Sequence, residues 1–208
     1  MRTAKLLLSA IFLVSITARA SAMSIYAGYG VPGHNVMRGT ASGGELVYDY
    51  SLSQGYGLGL DATGALWDPL GFQLGLYSEF GRKTTHLLAQ YRGNTLINMD
   101  YQSPEDTRYN TYSLYSNLTW DLVGPLYILG GASYTVLVKS DQANAQYGKY
   151  PSSVAYQLGV GLHAASWGLE CLYKQQIQSL DAYRPFPNGV TLTEAGISTY
   201  TVNLRYAI

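Results

Sequence analysis

The chain is poor in three things that hold or place most proteins. It has one cysteine, Cys171, in 208 residues, so no intramolecular disulfide is available. Charged residues make up 12% of it, about half of what a soluble domain carries. No apolar run is long. The best, Leu6 to Ile16, is about half of the ~20 residues that a spanning helix needs. A basic cluster is missing too, which argues against nucleic acid, since phosphate binding needs a basic face. No Cys/His group has metal-ligand spacing. Gly55-x-Gly57-x-Gly59 lacks the spacing and the following helix of a phosphate loop. Neither metal nor cofactor is therefore expected.

What is present begins with an export signal. Arg2 and Lys5, the Leu6–Ile16 run and Ala20-Ser21-Ala22 read as a secretory signal peptide over 1–22 with a small-x-small cleavage site. The mature chain, 23–208, suits one domain. Loss of Arg2, Lys5 and Arg19 leaves it about three charges negative. Twenty tyrosines and 23 glycines make a β-rich composition, and tyrosine also favours membrane–water boundaries, where its ring is buried and its hydroxyl stays wet.

The end of the chain alternates without a miss. Tyr200, Val202, Leu204, Tyr206 and Ile208 are apolar or aromatic, and Thr201, Asn203, Arg205 and Ala207 lie between them. A strand has a side-chain period of two, so this ribbon has one greasy face and one wet face. The pattern recurs. Tyr112, Leu114, Leu118, Trp120 and Leu122 alternate with Ser113, Tyr115, Asn117, Thr119 and Asp121, and Tyr156, Leu158, Val160 and Leu162 with Ala155, Gln157, Gly159 and Gly161. On an exported chain without a spanning helix, apolar-out and polar-in strands predict an all-β, antiparallel, up-and-down transmembrane barrel in an outer membrane.

Three tryptophans set the rhythm. Trp67, Trp120 and Trp167 stand about 50 residues apart, each ending one alternating run beside a short turn. Long turn-rich segments separate these hairpins at 31–44, 82–108, 140–152 and 183–193. Short periplasmic turns and long outer loops are the asymmetry of outer-membrane barrels, so the tryptophans form a girdle at the periplasmic interface. The strands fall near 24–31, 45–66, 71–82, 109–122, 126–140, 153–165, 168–180 and 194–208. That makes eight. A break of 45–66 at Ser53-Gln54-Gly55 and a strand within Leu87–Tyr101 would make ten.

On these residues the mature chain resembles the small eight-stranded outer-membrane barrels of the outer-membrane protein X and A type. The resemblance implies that Tyr200, Val202, Leu204 and Tyr206 carry an assembly signal, which Ile208 leaves without the family's usual terminal aromatic. It implies periplasmic chaperones and the barrel-assembly machinery as partners in biogenesis, and outer-membrane lipid, lipopolysaccharide and a host or surface ligand afterwards.

The inward phase gathers charge. Glu79, Asp121, Lys139, Glu170, Lys174 and Arg205 fall on it, and His163 and Glu170 flank one turn as a candidate pair. Eight strands enclose a space just wide enough for side chains to fill. These residues are therefore expected to form a polar network plugging the lumen, with a narrow channel for small solutes as the alternative. Enzyme patterns are missing. Small-barrel lipid A deacylases resemble this chain in rhythm and use a His and a Ser two residues apart, yet no His-x-Ser occurs at His34, His86 or His163. Glu105-Asp106 is the only adjacent acid pair. A non-enzymatic surface role is expected, with a lipid A-modifying hydrolase of unfamiliar site as runner-up.

Overall fold

The computed structural model describes residues 22–41, 44–93, 95–101, 108–139, 152–179 and 191–208. The proposed leader and its cleavage lie outside them, save Ala22, the first residue of a strand. Eleven strands form one antiparallel sheet: β1 (Ala22–Pro32), β2 (Asn35–Ala41), β3 (Gly44–Leu52), β4 (Gly55–Trp67), β5 (Leu70–Arg92), β6 (Thr95–Tyr101), β7 (Arg108–Asp121), β8 (Leu126–Lys139), β9 (Ser153–Ala164), β10 (Trp167–Ser179) and β11 (Thr191–Ala207).

Eight of them close a ring. β1 pairs with β4, β4 with β5, β5 with β7, and β7 through β11 follow in order. β11 then returns to β1 in a register running from Ser24–Ala207 to Pro32–Thr199. At one rim the turns knit the ring. Asp121 N donates to Pro69 O (3.0 Å), His163 N to Pro125 O (2.9 Å), Ala207 N to Ser166 O (2.8 Å) and Ile208 N to Met23 O (2.9 Å). All three short turns and both ends of the ring lie here, as the spacing of the tryptophans predicts. Trp67 and Trp120 stand beside Leu70 in register. Trp167 opens β10 instead of ending the preceding run, and its ring lies 4.9 Å from that of Tyr206.

The opposite rim departs from the sequence reading. The segment 31–44, expected as a loop, is mostly strand. β2 continues β1 past Gly33-His34, and β3 leads into β4 past Ser53-Gln54, within the Ser53-Gln54-Gly55 break of the ten-strand alternative. β5 runs for 23 residues, about twice the 9–11 that cross a bilayer. The outer ends therefore form a wall in the order β11, β2, β3, β5, β6. β6 is the extra strand within 87–101, but it pairs with the outer end of β5 and stays out of the ring, so the count there is eight. Local strand propensity on its own does not distinguish a loop from a hairpin arm whose neighbours also extend. Residues 191–193, expected in the last loop, belong to β11, while 140–151 and 180–190 lie outside the described residues.

The faces separate as period two requires. Outward stand Ile25, Tyr29, Leu58, Leu76, Tyr112, Trp120, Val136, Leu158, Val160, Val202 and Leu204, all exposed. Inward stand Ser24, Tyr26, Asp61, Gln73, Asn117, Thr135, Gln157, Glu170, Asn203 and Arg205, all buried. Apolar side chains thus coat the barrel and polar ones fill it, the reverse of a water-soluble barrel. Among the departures are Phe72, Ser116 and Ala132, buried in the outward phase; Phe72 lies across from Gly64, which presents no side chain there.

A charge at mid-bilayer on the coated face costs about 2–4 kcal/mol, and near the interface about 0–1. Leu204→Arg is therefore expected to lower unfolding free energy in lipid vesicles by about 2–4 kcal/mol, and Val123→Arg, at a rim turn, by about 1 or less. Equal losses in urea titrations would contradict the orientation.

Candidate functional site

The lumen is occupied by side chains from all eight ring strands. Its centre is Arg205 on β11. The guanidinium donates through Nη1 to Glu170 Oε1 on β10 (2.7 Å) and through Nη2 to both carboxylate oxygens of Asp61 on β4 (2.5 Å). A planar five-donor fork suits two carboxylates at once. Neither acid is left to the arginine alone. Tyr115 Oη donates to Asp61 Oδ2 (2.5 Å), and Tyr127 Oη (2.6 Å) and Gln73 Nε2 (2.7 Å) donate to Glu170 Oε1. The chain of amides continues sideways, from Asn117 Nδ2 to Gln73 Oε1 (3.0 Å) and from Gln157 Nε2 to Asn117 Oδ1 (2.6 Å).

A second group lies beside the first. Lys174 Nζ donates to Ser113 Oγ and Thr135 Oγ1, both at 3.0 Å, and those hydroxyls bond each other at 2.8 Å. Across the barrel Arg82 Nη2 meets Glu79 Oε1 at 2.6 Å. Three lumenal cations, Arg82, Lys174 and Arg205, thereby balance three anions, Asp61, Glu79 and Glu170. Balance matters because an unpaired buried charge is far more costly than a paired one.

Glycine gives this filling its room. Tyr26 stacks on Tyr77 with ring centroids 5.6 Å apart, and a Cβ on Gly59 would fall 2.0 Å from the Tyr26 ring. A Cβ on Gly161 would fall 2.2 Å from the Tyr127 ring. The Gly55-x-Gly57-x-Gly59 string is thus a bare floor, Gly57 and Gly59 beneath the rings of Tyr77 and Tyr26 and Gly55 beneath the Glu79–Arg82 pair. Gly81 has a different use. Its φ of +81° lies in a region that side chains avoid, and the register between β5 and β7 shifts between Glu79 and Arg82. Residues three apart face opposite ways in a regular strand. The bulge turns Arg82 back to the lumen beside Glu79.

The sequence-derived candidates divide accordingly. Glu79, Glu170, Lys174 and Arg205 point into the lumen and carry its contacts. Asp121 is exposed at the turn rim, because β7 ends there and the barrel no longer encloses it. There it lines a cavity of about 310 Å³ with Trp67, Asp68, Phe72, Tyr127 and His163. His163 makes no pair with Glu170. The register sets it opposite Gly168, and its ring stacks on Tyr127 at 4.3 Å, while Glu170 is taken by Arg205, Gln73 and Tyr127. Lys139 ends β8 across from Tyr109, and its side chain lies outside the described residues. Trp67, Trp120 and Trp167 are exposed at the turn rim, and Tyr200, Val202, Leu204, Tyr206 and Ile208 line the outer face.

Two charged residues escaped the sequence reading. Asp61 sits in the weakly patterned stretch Asp61–Ala65, but counting by twos from Tyr56, Leu58 and Leu60 sets it on the inward side. Arg82 is hidden by the bulge, which no period reveals.

No protein-family model matches this sequence, and no curated protein matches it. Solved structures do. The outer membrane protein OprG from Pseudomonas aeruginosa is 14% identical over 92% of this chain and 97% of that one, with a TM-score of 0.52. Outer membrane protein AlkL, solved in lipid bilayers, is 11% identical over 92% of each chain, with a TM-score of 0.48. Neisserial surface protein A is 13% identical over 88% and 96%, with a TM-score of 0.45. At such identities the likeness is one of fold. The chain has the fold of a small eight-stranded outer-membrane β-barrel, with an apolar coat on the face that such a barrel turns to lipid.

Removing one partner of a buried ionic cluster costs about 3–5 kcal/mol, whereas replacing the whole cluster by neutral groups is often tolerated. Arg205→Met is expected to cost that much in urea unfolding from lipid vesicles. The triple variant Asp61→Asn, Glu170→Gln, Arg205→Met should regain more than half of it. A triple variant no more stable than the single one would show that uncompensated charge is not the cause.

Proposed function

We propose that this protein is a non-enzymatic surface protein of the outer membrane, with a sealed barrel as its anchor and the outer strand wall as its working surface. One observation carries the reading: Arg205 bridges Asp61 and Glu170 from three different strands across the lumen. A side-chain bridge at the centre, backed by buried Gln73, Asn117 and Gln157, leaves solutes no wide path. What projects is the wall. It presents Arg38 and Glu45, 3.5 Å apart, together with exposed Arg92, Thr95, Leu96 and Ile97. A rigid scaffold holding mixed charged and apolar groups outside the membrane suits contact with lipopolysaccharide or with a host or surface ligand. Chaperones and the assembly machinery enter this reading only as partners in biogenesis.

Catalysis fits less well. Among the described residues the one histidine–carboxylate pair is His34–Asp49, at 3.5 Å on the outer wall. The neighbouring Ser198 hydroxyl donates to the carbonyl of His34, not to its imidazole. An activated nucleophile needs its base within hydrogen-bond reach.

In planar bilayers the purified protein is expected to give no discrete conductance steps, and mass spectrometry should find lipid A unchanged after incubation with it. Step-like openings would favour the channel, and shortened lipid A the hydrolase. The wall has its own test. Asn35 and Tyr50 are register partners, so residues 36–49 can be replaced by a two-residue Asn-Gly turn. The shortened chain should still migrate differently on gels before and after boiling but lose binding to lipopolysaccharide or cells. A shortened chain that binds as well as the parent would move the working surface elsewhere.

A further inference from the structure

Beside the Arg205 bridge the lumen keeps a second cavity, of about 30 Å³, lined among others by Tyr77, Glu170, Lys174, Thr201 and Asn203. Two of these bring buried polar atoms without a hydrogen-bond partner among the described residues, Tyr77 Oη and Asn203 Oδ1. Buried polar atoms are seldom left so. Both come to the same point of β1, for a Cβ on Gly28 would lie 2.3 Å from Asn203 Oδ1 and 2.7 Å from Tyr77 Oη. The third group is Lys174. Its ammonium has three protons, and the hydroxyls of Ser113 and Thr135 take two.

The chemistry of the three groups selects an occupant. Lys174 only donates, the amide oxygen of Asn203 only accepts, and the Tyr77 hydroxyl does either. A ligand serving all three must accept from one and donate to another. A simple anion has no proton for Asn203, and a metal cation has no lone pair for Lys174. Water has both. A site holding one water needs roughly 10–15 Å³ and two to four polar partners, so this cavity has room for about two.

We propose that the cavity is an ordered-water site, holding one or two molecules on Lys174 Nζ, Tyr77 Oη and Asn203 Oδ1. The water joins the Lys174–Ser113–Thr135 group to Asn203, two residues from Arg205 on the same face of β11. This goes beyond the sealed-barrel reading and is independent of it, since a barrel can be sealed with or without water at this point.

A high-resolution crystal structure of the intact barrel, with bromide in the crystallisation medium, tests it. Expected is water density within hydrogen-bond distance of Tyr77 Oη and Asn203 Oδ1 and no anomalous peak there. Lys174→Met should shift that density or lose it. A bromide peak would overturn the assignment in favour of an anion. A site without density, with Tyr77 Oη bonded directly to Asn203, would overturn it outright, and density unmoved in Lys174→Met would remove the lysine from it. Should that variant fail to fold, Tyr77→Phe gives the same comparison: loss of density supports the site, and unchanged density opposes it.

Discussion

In hydrocarbon a peptide group has nothing to bond with except another peptide group. An unpaired N–H or C=O there costs several kcal/mol, and an open sheet of eight strands would present two whole edges of them. The pairing of β1 with β11 from Ser24–Ala207 to Pro32–Thr199 removes both edges at once. Everything else in the molecule follows from that seam. A closed antiparallel ring fixes one face toward lipid and one inward, and this fixes the chemistry of alternate residues along every strand.

The inward face then has to solve a crowding problem. Eight strands leave little more than side-chain room, yet the polar groups placed there must all find partners. Glycines on β1, β4 and β9 yield space to Tyr26, Tyr77 and Tyr127, and the hydroxyl of Tyr127 reaches Glu170. Charges enter as a balanced set, each within reach of an opposite charge or of hydroxyls. The result is a core made of hydrogen bonds and ion pairs inside a coat of leucine, valine and tyrosine. Such a core tolerates little change in volume, or the loss of one charge without its partners.

The ring and its facing were legible because they rest on period two alone. Tyr200 to Ile208, 112–122 and 154–162 each announce two faces, and the spacing of Trp67, Trp120 and Trp167 marks one rim. Less legible was anything that broke the period or depended on a neighbour. Asp61 and Arg82 were missed, one for a weak local pattern and the other for the bulge at Gly81. Asp121 and His163 were placed inward by phase, but phase says nothing about where a barrel stops enclosing its side chains. The Glu170 partners come from β5, β8 and β11, distant in sequence, and only closure brings them together. The segment 31–44 reads as a loop because Gly39, Gly43 and Gly44 look like turn residues until β3 and β11 supply strands for β2 to pair with.

The native cysteine offers the most direct measurement. Cys171 stands on the coated face of β10, in register with Val160 and Val202, well inside the band between the rims. A fluorophore attached to it in the refolded protein, in vesicles of lipids brominated along their acyl chains, should be strongly quenched by the lipid and little affected by iodide added to the water. Quenching by iodide with no effect of the brominated chains would place that face in water and contradict the account.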